Sequence, residues 1–345
     1  MNDGVKRRSE LEGKDNSSED KGNYKVVCTG DMVYNSMRMW QGANGISPYN
    51  GIVSPAYTVL TAKCDISNGF FAALFKTHKL ISEFCNHSQG MTSDTWNLKY
   101  PQIESIKTYI PSVAEQQKIA ALIEKIDKRL ATQKELIDSL KKYKRGLLAT
   151  LLSDNLSWQK VTMKDVAIGF DYGMGSSAVE FDGAHKYIRI TDIDDDTRTY
   201  IQENLVSPSD TPEVKYRVNE NDILFARTGA SVGKSYLYKK DDGELYFAGF
   251  LIRASVKSNF DSYFIYLNTL TDNYDKWVKL ESMRSGQPGI NAEQYKSYSF
   301  YCPPLDIQNK ITNIIRKIEL KISNEQEIYK KLILVKQSML QQLFI

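Results

Sequence analysis

The chain has 345 residues, enough for two domains with real cores, and its 41% apolar and 25% charged residues are ordinary for a soluble globular protein. No apolar run approaches the roughly 20 residues needed to cross a bilayer, and residues 1–20 are too polar for a signal peptide. Four scattered cysteines without a CxxC pair indicate buried thiols, so we expect a cytoplasmic protein with no membrane partner.

The net charge of +3 is unevenly distributed along the chain. Basic residues outnumber acidic ones in residues 111–153 (9 against 5) and in residues 302–345 (7 against 4), whereas acidic residues prevail in residues 154–301 (22 against 17). A polyanionic partner would therefore be met by these two basic stretches or by local basic loops.

Within the first 110 residues, the pattern of apolar and polar residues changes at Tyr24. Residues 1–23 are hydrophilic and have the composition of a disordered leader or a surface loop. Short strands are then predicted in YKVVC, DMVYN and GIVSPAYTVL, followed by a helix over residues 70–86 and a loop with a final strand that leads to Pro111.

A long helix is predicted from Ala114 to Ser153. Its apolar residues recur at intervals of four and three, the pattern of a coiled-coil seam, which Gln133 and Lys144 interrupt. The seam residues are Ile119, Ile123, Ile126, Leu130, Ile137, Leu140, Leu147 and Leu151.

The end of the chain repeats this helix 192 residues later. The seam recurs at Ile311, Ile315, Ile318, Ile322, Tyr329, Leu332, Met339 and Leu343. The interruptions recur as Glu325 and Lys336, and prolines precede both helices, with Gln116 and Gln308 just inside. Unrelated amphipathic helices share a periodicity but rarely the same interruptions, so we infer an internal duplication.

The segments before the two helices repeat as well. NDILFAR corresponds to GDMVYNSMR, LYFAGFLIRAS to GIVSPAYTVL, and SYFIYLNTLTDNYDKWVKL to the helix over 70–86, with an offset of 191 to 192 from Asp31 to Ser153. Residues 154–191 have no counterpart in the first half. We therefore predict four segments: a domain over 1–110 that is shortened at its start, a helix over 111–153, a domain over 154–301 and a helix over 302–345.

Two short motifs resemble ligand loops but each departs from its template. TGASVGKS (228–235) lacks the first glycine of a P-loop because Thr228 stands there, so a nucleotide-binding enzyme is disfavoured. A basic loop in which Arg227, Thr228 and Lys234 meet phosphate or guanine remains open, beside the alternative that these residues are merely solvated. DIDDDTRTYIQE (192–203) lacks the glycine of an EF-hand at Thr197 and is typical of a solvated acidic loop.

Other loops carry side chains suited to hydrogen bonding with base edges, since arginine pairs with guanine and glutamine with adenine. The alternative for the second half is a generic Gly-Gln-Pro-Gly turn, and Trp40 is more readily packed than stacked on a base. The second-half candidates are Arg284, Ser285 and Gln287, and the first-half candidates are Arg38, Trp40, Gln41, Gln89 and Lys99.

Catalytic signatures are absent from the sequence. There is no Asn/Asp-Pro-Pro-Tyr/Phe motif or glycine-rich cofactor loop of a methyltransferase, and no evident nuclease carboxylate set. The three histidines have no cysteine or acidic neighbours at ligand spacing, so neither a metal site nor a histidine-based triad is predicted. We expect a protein without catalytic residues.

Two variable modules, each followed by a near-identical long helix entered through PP-x-x-x-Q or IPSVAEQQ, resemble the specificity (S) subunit of type I restriction-modification systems. The stretches GDMVYNSMRMWQGANGISPYNGIVSPAY and NDILFARTGASVGKS are similar to the interior of its target-recognition domains. The resemblance covers nearly the whole chain, except for the beginning of the first domain.

The resemblance implies two tandem α/β (α+β) target-recognition domains, each followed by a long helix, the two helices pairing as an antiparallel coiled coil with pseudo-two-fold symmetry. Each domain would read one half of a split site in double-stranded DNA. The partners would be two methyltransferase (M) subunits and restriction/translocase (R) subunits. No cofactor is expected in this chain, because S-adenosylmethionine, ATP and Mg would belong to those partners.

The predicted helix length is compatible with two domains that read separate halves of one DNA site. A helix of about 38 residues is roughly 57 Å long at 1.5 Å per residue, which corresponds to at most roughly 16 base pairs between half-sites. An alternative hypothesis is that the shortened first domain makes the chain a silent cassette, which binds methyltransferase subunits through its helices without reading both half-sites.

Overall fold

A computed structural model describes residues 4–11, 17, 19–92, 96–153, 155–283 and 286–344. The chain divides into two compact units, one formed by Met1–Ile137 with Asn324–Ile345 and the other by Asp138–Ser323. Both divisions fall inside long helices, whereas the sequence-based boundaries at 110, 153 and 301 follow the helix ends. Each unit thus contains one mixed helix and sheet domain together with parts of both long helices.

In the first unit, β2 lies between β3 and β5 in an antiparallel sheet, and β1 pairs with β4. Its strands are β1 (Lys25–Val27), β2 (Met32–Asn35), β3 (Asn44–Ile46), β4 (Gly51–Val53) and β5 (Tyr57–Leu60). Its helices are α1 (Asn68–Leu74), α2 (His78–His87), α3 (Tyr100–Glu104) and the first part of the long helix α4 (Val113–Leu151).

The second unit is built on a four-stranded antiparallel sheet in the order β12-β11-β14-β7, beside the pairs β6–β15, β8–β10 and the parallel pair β9–β13. Its strands are β6 (Gln159–Thr162), β7 (Ala167–Tyr172), β8 (Ala178–Glu180), β9 (Lys186–Ile188), β10 (Val206–Pro208), β11 (Asp222–Ala226), β12 (Ser235–Leu237), β13 (Leu245–Phe247), β14 (Leu251–Val256) and β15 (Ser299–Cys302). Its helices are α5 (Met163–Val166), α6 (Ser262–Asn268), α7 (Asp272–Glu281), α8 (Ala292–Ser297) and the first part of the long helix α9 (Leu305–Leu343).

Both long helices contribute to the domain cores. In the first unit, Ile119 and Ile123 of α4 pack with Phe70 and Phe84, and Leu340 of α9 lies against the same cluster. In the second unit, Ile311 and Ile315 of α9 share a core with Leu148 of α4, Phe264 and Tyr295. Within each unit the beginning of one long helix therefore lies beside the end of the other, so the helices run antiparallel. The predicted fold class is confirmed.

The helix predicted over residues 70–86 is in fact two helices. Thr77 begins α2 as its N-cap, with its side chain accepting a hydrogen bond from the Leu80 amide, and Thr271 does the same for α7. A threonine that satisfies a free amide at a helix start interrupts the helical pattern that its apolar neighbours suggest. These equivalent threonines are 194 positions apart, so the predicted constant offset of 191 to 192 is wrong in this region.

The strand predicted just before Pro111 is absent from the first unit. Its counterpart in the second unit, β15, pairs only with β6, which belongs to the segment without a first-half counterpart. Residues 107–110 lack that partner; none of their amides donates to a backbone carbonyl in the described part of the chain, and Tyr109 is 99% exposed. A strand needs a neighbour to satisfy its ladder hydrogen bonds, so this stretch stays irregular.

Two further expectations change in the first unit. Residues 4–11, predicted as a leader or surface loop, include a 3₁₀ turn, and Arg7 and Glu10 contact Tyr49 through a cation–π contact of 4.5 Å and a 3.2 Å hydrogen bond. The thiols predicted to be buried are so only in part, since Cys28 and Cys64 are exposed.

All ten seam residues assigned to partner packing are buried or half-buried. The buried seam residues are Ile119, Ile137, Ile311 and Ile322. The half-buried seam residues are Ile126, Leu130, Leu140, Ile318, Tyr329 and Leu332.

The polar residues that interrupt the apolar seam form hydrogen bonds and ion pairs between the two long helices. Within the first unit, the Gln133 amide nitrogen donates to the Glu325 carboxylate at 2.5 Å and to the Glu325 carbonyl at 3.1 Å, and both side chains are buried. Lys336 pairs with Asp127 in the same unit. In the second unit Lys144 pairs with Glu319 at 2.5 Å, and these two residues are the repeat equivalents of Lys336 and Asp127. Matched polar contacts at fixed positions specify the helix register.

Hydrogen exchange tests the missing strand partner. We expect amides in residues 299–302 to be protected by pairing with β6, while those in residues 107–110 exchange at rates close to those of an unstructured peptide. Peptide-resolved exchange measured by mass spectrometry compares the two stretches in one sample. Equal protection of residues 107–110 and 299–302 would contradict the explanation that residues 107–110 lack a strand partner.

The variant Gln133→Glu tests the buried polar pair. It places a second carboxylate against Glu325, and we expect the free energy of unfolding to fall by about 2–4 kcal/mol at pH 7. Two carboxylates in one site raise the pKa of one of them above its unfolded value. The deficit should therefore be largest at neutral pH and shrink as the pH falls toward that of ordinary glutamate titration.

Denaturant unfolding of the full chain measures both effects. The control is Gln133→Glu combined with Glu325→Gln, which restores one carboxylate and one amide with the partners exchanged. A double variant as unstable as Gln133→Glu alone would show that the pair does not set stability.

Candidate nucleic-acid interface

Several loops of the second unit meet at one end of its four-stranded sheet. Ala226 ends β11 opposite Leu251 at the start of β14, and Ile252 pairs with Tyr172 at the end of β7. The loop after β11 is tied to a more distant loop, because Thr228 bridges Gly289 and the Gly229 amide donates to the Pro288 carbonyl at 3.0 Å. We call residues 172–175, 227–234, 248–250 and 286–290 the second-unit tip.

Arg227 lies at the centre of the second-unit tip. Its amide donates to the Phe250 carbonyl and its own carbonyl accepts from Ile290, so the backbone is fixed on both sides. The guanidinium lies 4.8 Å from the centre of the Tyr172 ring and donates a long hydrogen bond of 3.4 Å to the Gly249 carbonyl. It makes no ion pair in the described part of the chain, so most of its donors remain available to an external acceptor.

Lys234 has an internal role. Its side chain is only 11% exposed, and its ammonium pairs with Asp195 at 2.5 Å and donates to the Ile193 carbonyl. It therefore ties the acidic loop after Asp192 to the second-unit tip. In that acidic loop, the backbone amide and hydroxyl of Thr197 donate to Asp194 and hold the pKa of its carboxyl below the usual range.

The geometry does not favour either ligand-loop template. A P-loop precedes a helix whose N-terminus faces the phosphates, whereas residues 227–234 contain a 3₁₀ turn and lead into strand β12. The acidic loop uses Asp194 to close its own turn and Asp195 to pair with Lys234. In the described part of the chain no three side chains among His, Cys, Asp and Glu form a metal-binding group.

Gln287 is exposed at the second-unit tip. Its amide nitrogen lies 3.0 Å from where a side chain on Gly229 would begin, so the Gln287 side chain reaches the loop after β11. Gly229 also has a φ of +70°, a conformation that favours glycine. The other two candidates in this loop, Arg284 and Ser285, lie outside the described residues.

The first unit has an equivalent arrangement at the end of β2. The Ser36 amide donates to Ala56 and its carbonyl accepts from Leu98, the same two bonds that Arg227 makes with Phe250 and Ile290. The predicted residues Arg38, Trp40 and Gln41 all lie in the loop that follows. We call residues 36–43, 56–57, 88–92 and 96–99 the first-unit tip.

Within the first-unit tip, the predicted residues differ in availability. Trp40 packs edge-on against Trp96 at 5.2 Å and donates to the Met37 carbonyl, which agrees with a packed indole. The side chains of Arg38 and Gln41 make no hydrogen bond or ion pair within the described residues. They are therefore available to external acceptors and donors.

Gln89 and Lys99 belong to the same region. Gln89 pairs with Asn97 through a short antiparallel bridge, and Lys99 directly follows Leu98, which is bonded to Ser36. Both side chains are exposed. The structure thus brings all five first-half candidates to one tip, and in the second half it places Arg227, Thr228, Lys234 and Gln287 at the other.

Sequence reasoning missed two aromatic residues at the second-unit tip. Phe250 is 60% exposed, and Tyr172 is also exposed while its hydroxyl accepts from the Ala292 amide at 3.2 Å. Phe250 lies in an apolar run that is otherwise a buried strand, so its pattern predicts burial. The glycine immediately before it was the available signal of a tight turn.

The sequence matches the family described as "Type I restriction modification DNA specificity domain" over residues 7–142 and 155–333. The chain belongs to this family. Both halves are matched, so the duplication inferred from the helices extends to two tandem specificity domains. Specificity subunits are the DNA-recognition components of these systems and are in general not catalytic.

One curated relative is the type I restriction enzyme StySPI specificity subunit of Salmonella potsdam, 23% identical over 274 residues. The alignment covers 74% of this chain and 58% of that subunit, so the chain spans little more than half the length of the curated relative.

Two solved structures share the fold. One is a chain from a structure described as underlying complex assembly and conformational transition of the type I R-M system, with a TM-score of 0.61, 16% identity and coverage of 94% of this chain and 84% of that one. The other is the type I S subunit from M. genitalium, with a TM-score of 0.61, 14% identity and coverage of 93% and 84%. No helix in the described part of this specificity-family chain is both long and apolar enough to cross a membrane.

Two substitutions distinguish a basic side chain that is bonded within the protein from one that has no internal partner. We expect Lys234→Met to lower the free energy of unfolding by about 1–3 kcal/mol, because it leaves Asp195 and the Ile193 carbonyl without their charged donor. Arg38→Met, at a side chain without internal bonds, should change it by less than about 0.5 kcal/mol. Denaturant unfolding of both variants provides the comparison, and equal effects would contradict the assignment of Lys234 to an internal role.

Proposed function

We propose that the chain recognises a two-part DNA site, with the first-unit tip reading one half and the second-unit tip reading the other. The observation that supports it most is the repetition of one backbone frame, in which Ser36 and Arg227 make equivalent hydrogen bonds and carry the candidate side chains beside them. Two copies of one scaffold with different side chains suit two different half-sites.

The proposed partners are methyltransferase and restriction subunits of a type I complex. The chain would dock two methyltransferase subunits along its duplicated helices, since a repeated surface suits two copies of one partner. These partner subunits would supply S-adenosylmethionine, ATP and Mg-dependent chemistry, while this chain contributes recognition alone. Adenine methylation of the site, or cleavage of unmethylated DNA, would then be directed by the two tips.

A second candidate function is a silent cassette that binds methyltransferase subunits without reading both half-sites. It is favoured by one observation, which is that the first unit has no equivalent of β6 and β7 among its described strands. The exposed Tyr109 lies where β15 is paired in the second unit. A domain with that side uncovered could retain its tip and still fail to hold DNA.

Mapping methylation in a host separates these candidates. The chain is expressed with its cognate methyltransferase subunit, and long-read sequencing compares that host with one lacking the chain. We expect a split motif with 6-methyladenine in both halves that depends on the chain.

A one-sided motif would assign base reading to the second unit alone and favour the silent first domain. No chain-dependent methylation, despite copurification with the methyltransferase subunit, would contradict DNA recognition by either tip.

A further inference from the structure

Among the described residues of the second-unit tip, Phe250 is the most exposed large apolar side chain. Phe250 is 60% exposed, whereas the neighbouring phenylalanines of the sheet, Phe225 and Phe247, are almost completely buried. An exposed phenylalanine contributes little to the stability of its own domain. Its position beside Arg227 calls for a different explanation.

The backbone that carries Phe250 is held on every side. Its carbonyl accepts from Arg227 at 3.0 Å, the preceding Gly249 donates to the Met174 carbonyl at 2.7 Å, and the following Leu251 donates to Ala248 at 2.8 Å. Gly173 packs so closely that a side chain there would begin 2.1 Å from the Ala248 carbonyl oxygen. The ring is thus presented on a rigid turn, which lowers the entropic cost of using it in binding.

The surroundings of Phe250 favour nucleic acid over a protein partner. The same tip carries the Arg227 guanidinium, the Tyr172 ring that it covers and the exposed Gln287 side chain, and no acidic residue pairs with Arg227 in the described part of the chain. Gly175 and Gly286 have open space at their Cβ positions, which lets another molecule approach the backbone. A single rigid ring among cationic and amide donors matches an apolar wedge that enters a base step while its neighbours hold phosphates and base edges.

We propose that Phe250 acts as a wedge that partly unstacks one base step in the half-site bound by the second-unit tip. The inference rests on the proposed DNA recognition and adds to it a residue and a mode of readout. Readout by deformation favours steps that unstack easily, so Phe250 contributes specificity without hydrogen bonds.

The first unit carries a small residue at the position equivalent to Phe250. The residue whose carbonyl accepts from Ser36, as that of Phe250 accepts from Arg227, is Ala56. A methyl group is too small to separate two stacked bases. Unstacking that depends on Phe250 is therefore expected only in the half-site bound by the second-unit tip.

Fluorescence of 2-aminopurine tests the wedge in the complete complex of the chain with its methyltransferase subunits. Duplexes carry the motif found by methylation mapping, with 2-aminopurine placed in turn at purine positions of both half-sites. Because methyltransferase subunits flip their target adenines out of the stack, the target adenine positions of both half-sites are left unlabelled. At the remaining purine positions we expect one step in a single half-site to brighten on binding. Phe250→Ala should abolish that signal and weaken binding by about 5- to 150-fold, since stacking on an aromatic ring contributes about 1–3 kcal/mol per base.

Two variants complete the design. Phe250→Trp keeps a flat ring and should retain the signal, while Ile168→Ala removes another exposed apolar side chain at the opposite end of β7 and should change neither signal nor affinity. Specific binding by the wild-type complex with no signal that depends on Phe250 would overturn the wedge and leave DNA recognition intact. If Phe250→Ala no longer copurifies with the methyltransferase subunit, the wedge is overturned in favour of a protein contact. If the wild-type complex shows no specific DNA binding, the proposed function is overturned as well as the wedge.

Discussion

A buried glutamine in the first turn of each long helix ties that helix to the domain that precedes it. The Gln116 carbonyl oxygen accepts from the Ser67 amide at the start of α1, and its amide nitrogen donates to the Pro111 carbonyl. Gln308 makes the same two bonds with Asp261 and Pro303, and each glutamine is 1% exposed. Because buried amides are costly to leave unpaired, these bonds fix each domain on its own helix.

The polar contacts along the seam extend that constraint to the helix pair. An uninterrupted apolar seam can slip by a heptad with little cost, whereas Gln133 against Glu325 and the two equivalent lysine–carboxylate pairs each match only one alignment. In a protein proposed to hold two reading tips, an alignment that slips would change what each tip can reach. The interruptions that weaken the coiled-coil pattern in the sequence are therefore the residues that specify it.

The sequence was sufficient for features that depend on local pattern or on repetition. Seam periodicity, the shared interruptions and the tandem domains are of this kind. The described candidates for base contact lie at the two tips, and their contact with bases stays a prediction. It was insufficient where a distant partner decides the outcome. Residues 107–110 have the composition of a strand but no equivalent of β6 to pair with. The sequence around Lys234 suggests an available cation, but the fold brings Asp195 into an ion pair with it. The apolar sequence around Phe250 predicts burial, but the turn that carries Phe250 exposes its side chain. Thr77 shows the local counterpart, because a single cap divides a helix that apolar spacing joins.

The central claim is that each tip reads its own half-site independently. It is tested most directly by methylation mapping of two single variants, Arg38→Ala in the first-unit tip and Arg227→Ala in the second-unit tip, each expressed with the methyltransferase subunit. A lost base contact relaxes discrimination at its own position by about 1–3 kcal/mol. The account predicts that each variant broadens the motif in one half only, and in opposite halves for the two variants. Broadening of the same half by both variants, or uniform loss of methylation without any change in motif, would contradict it.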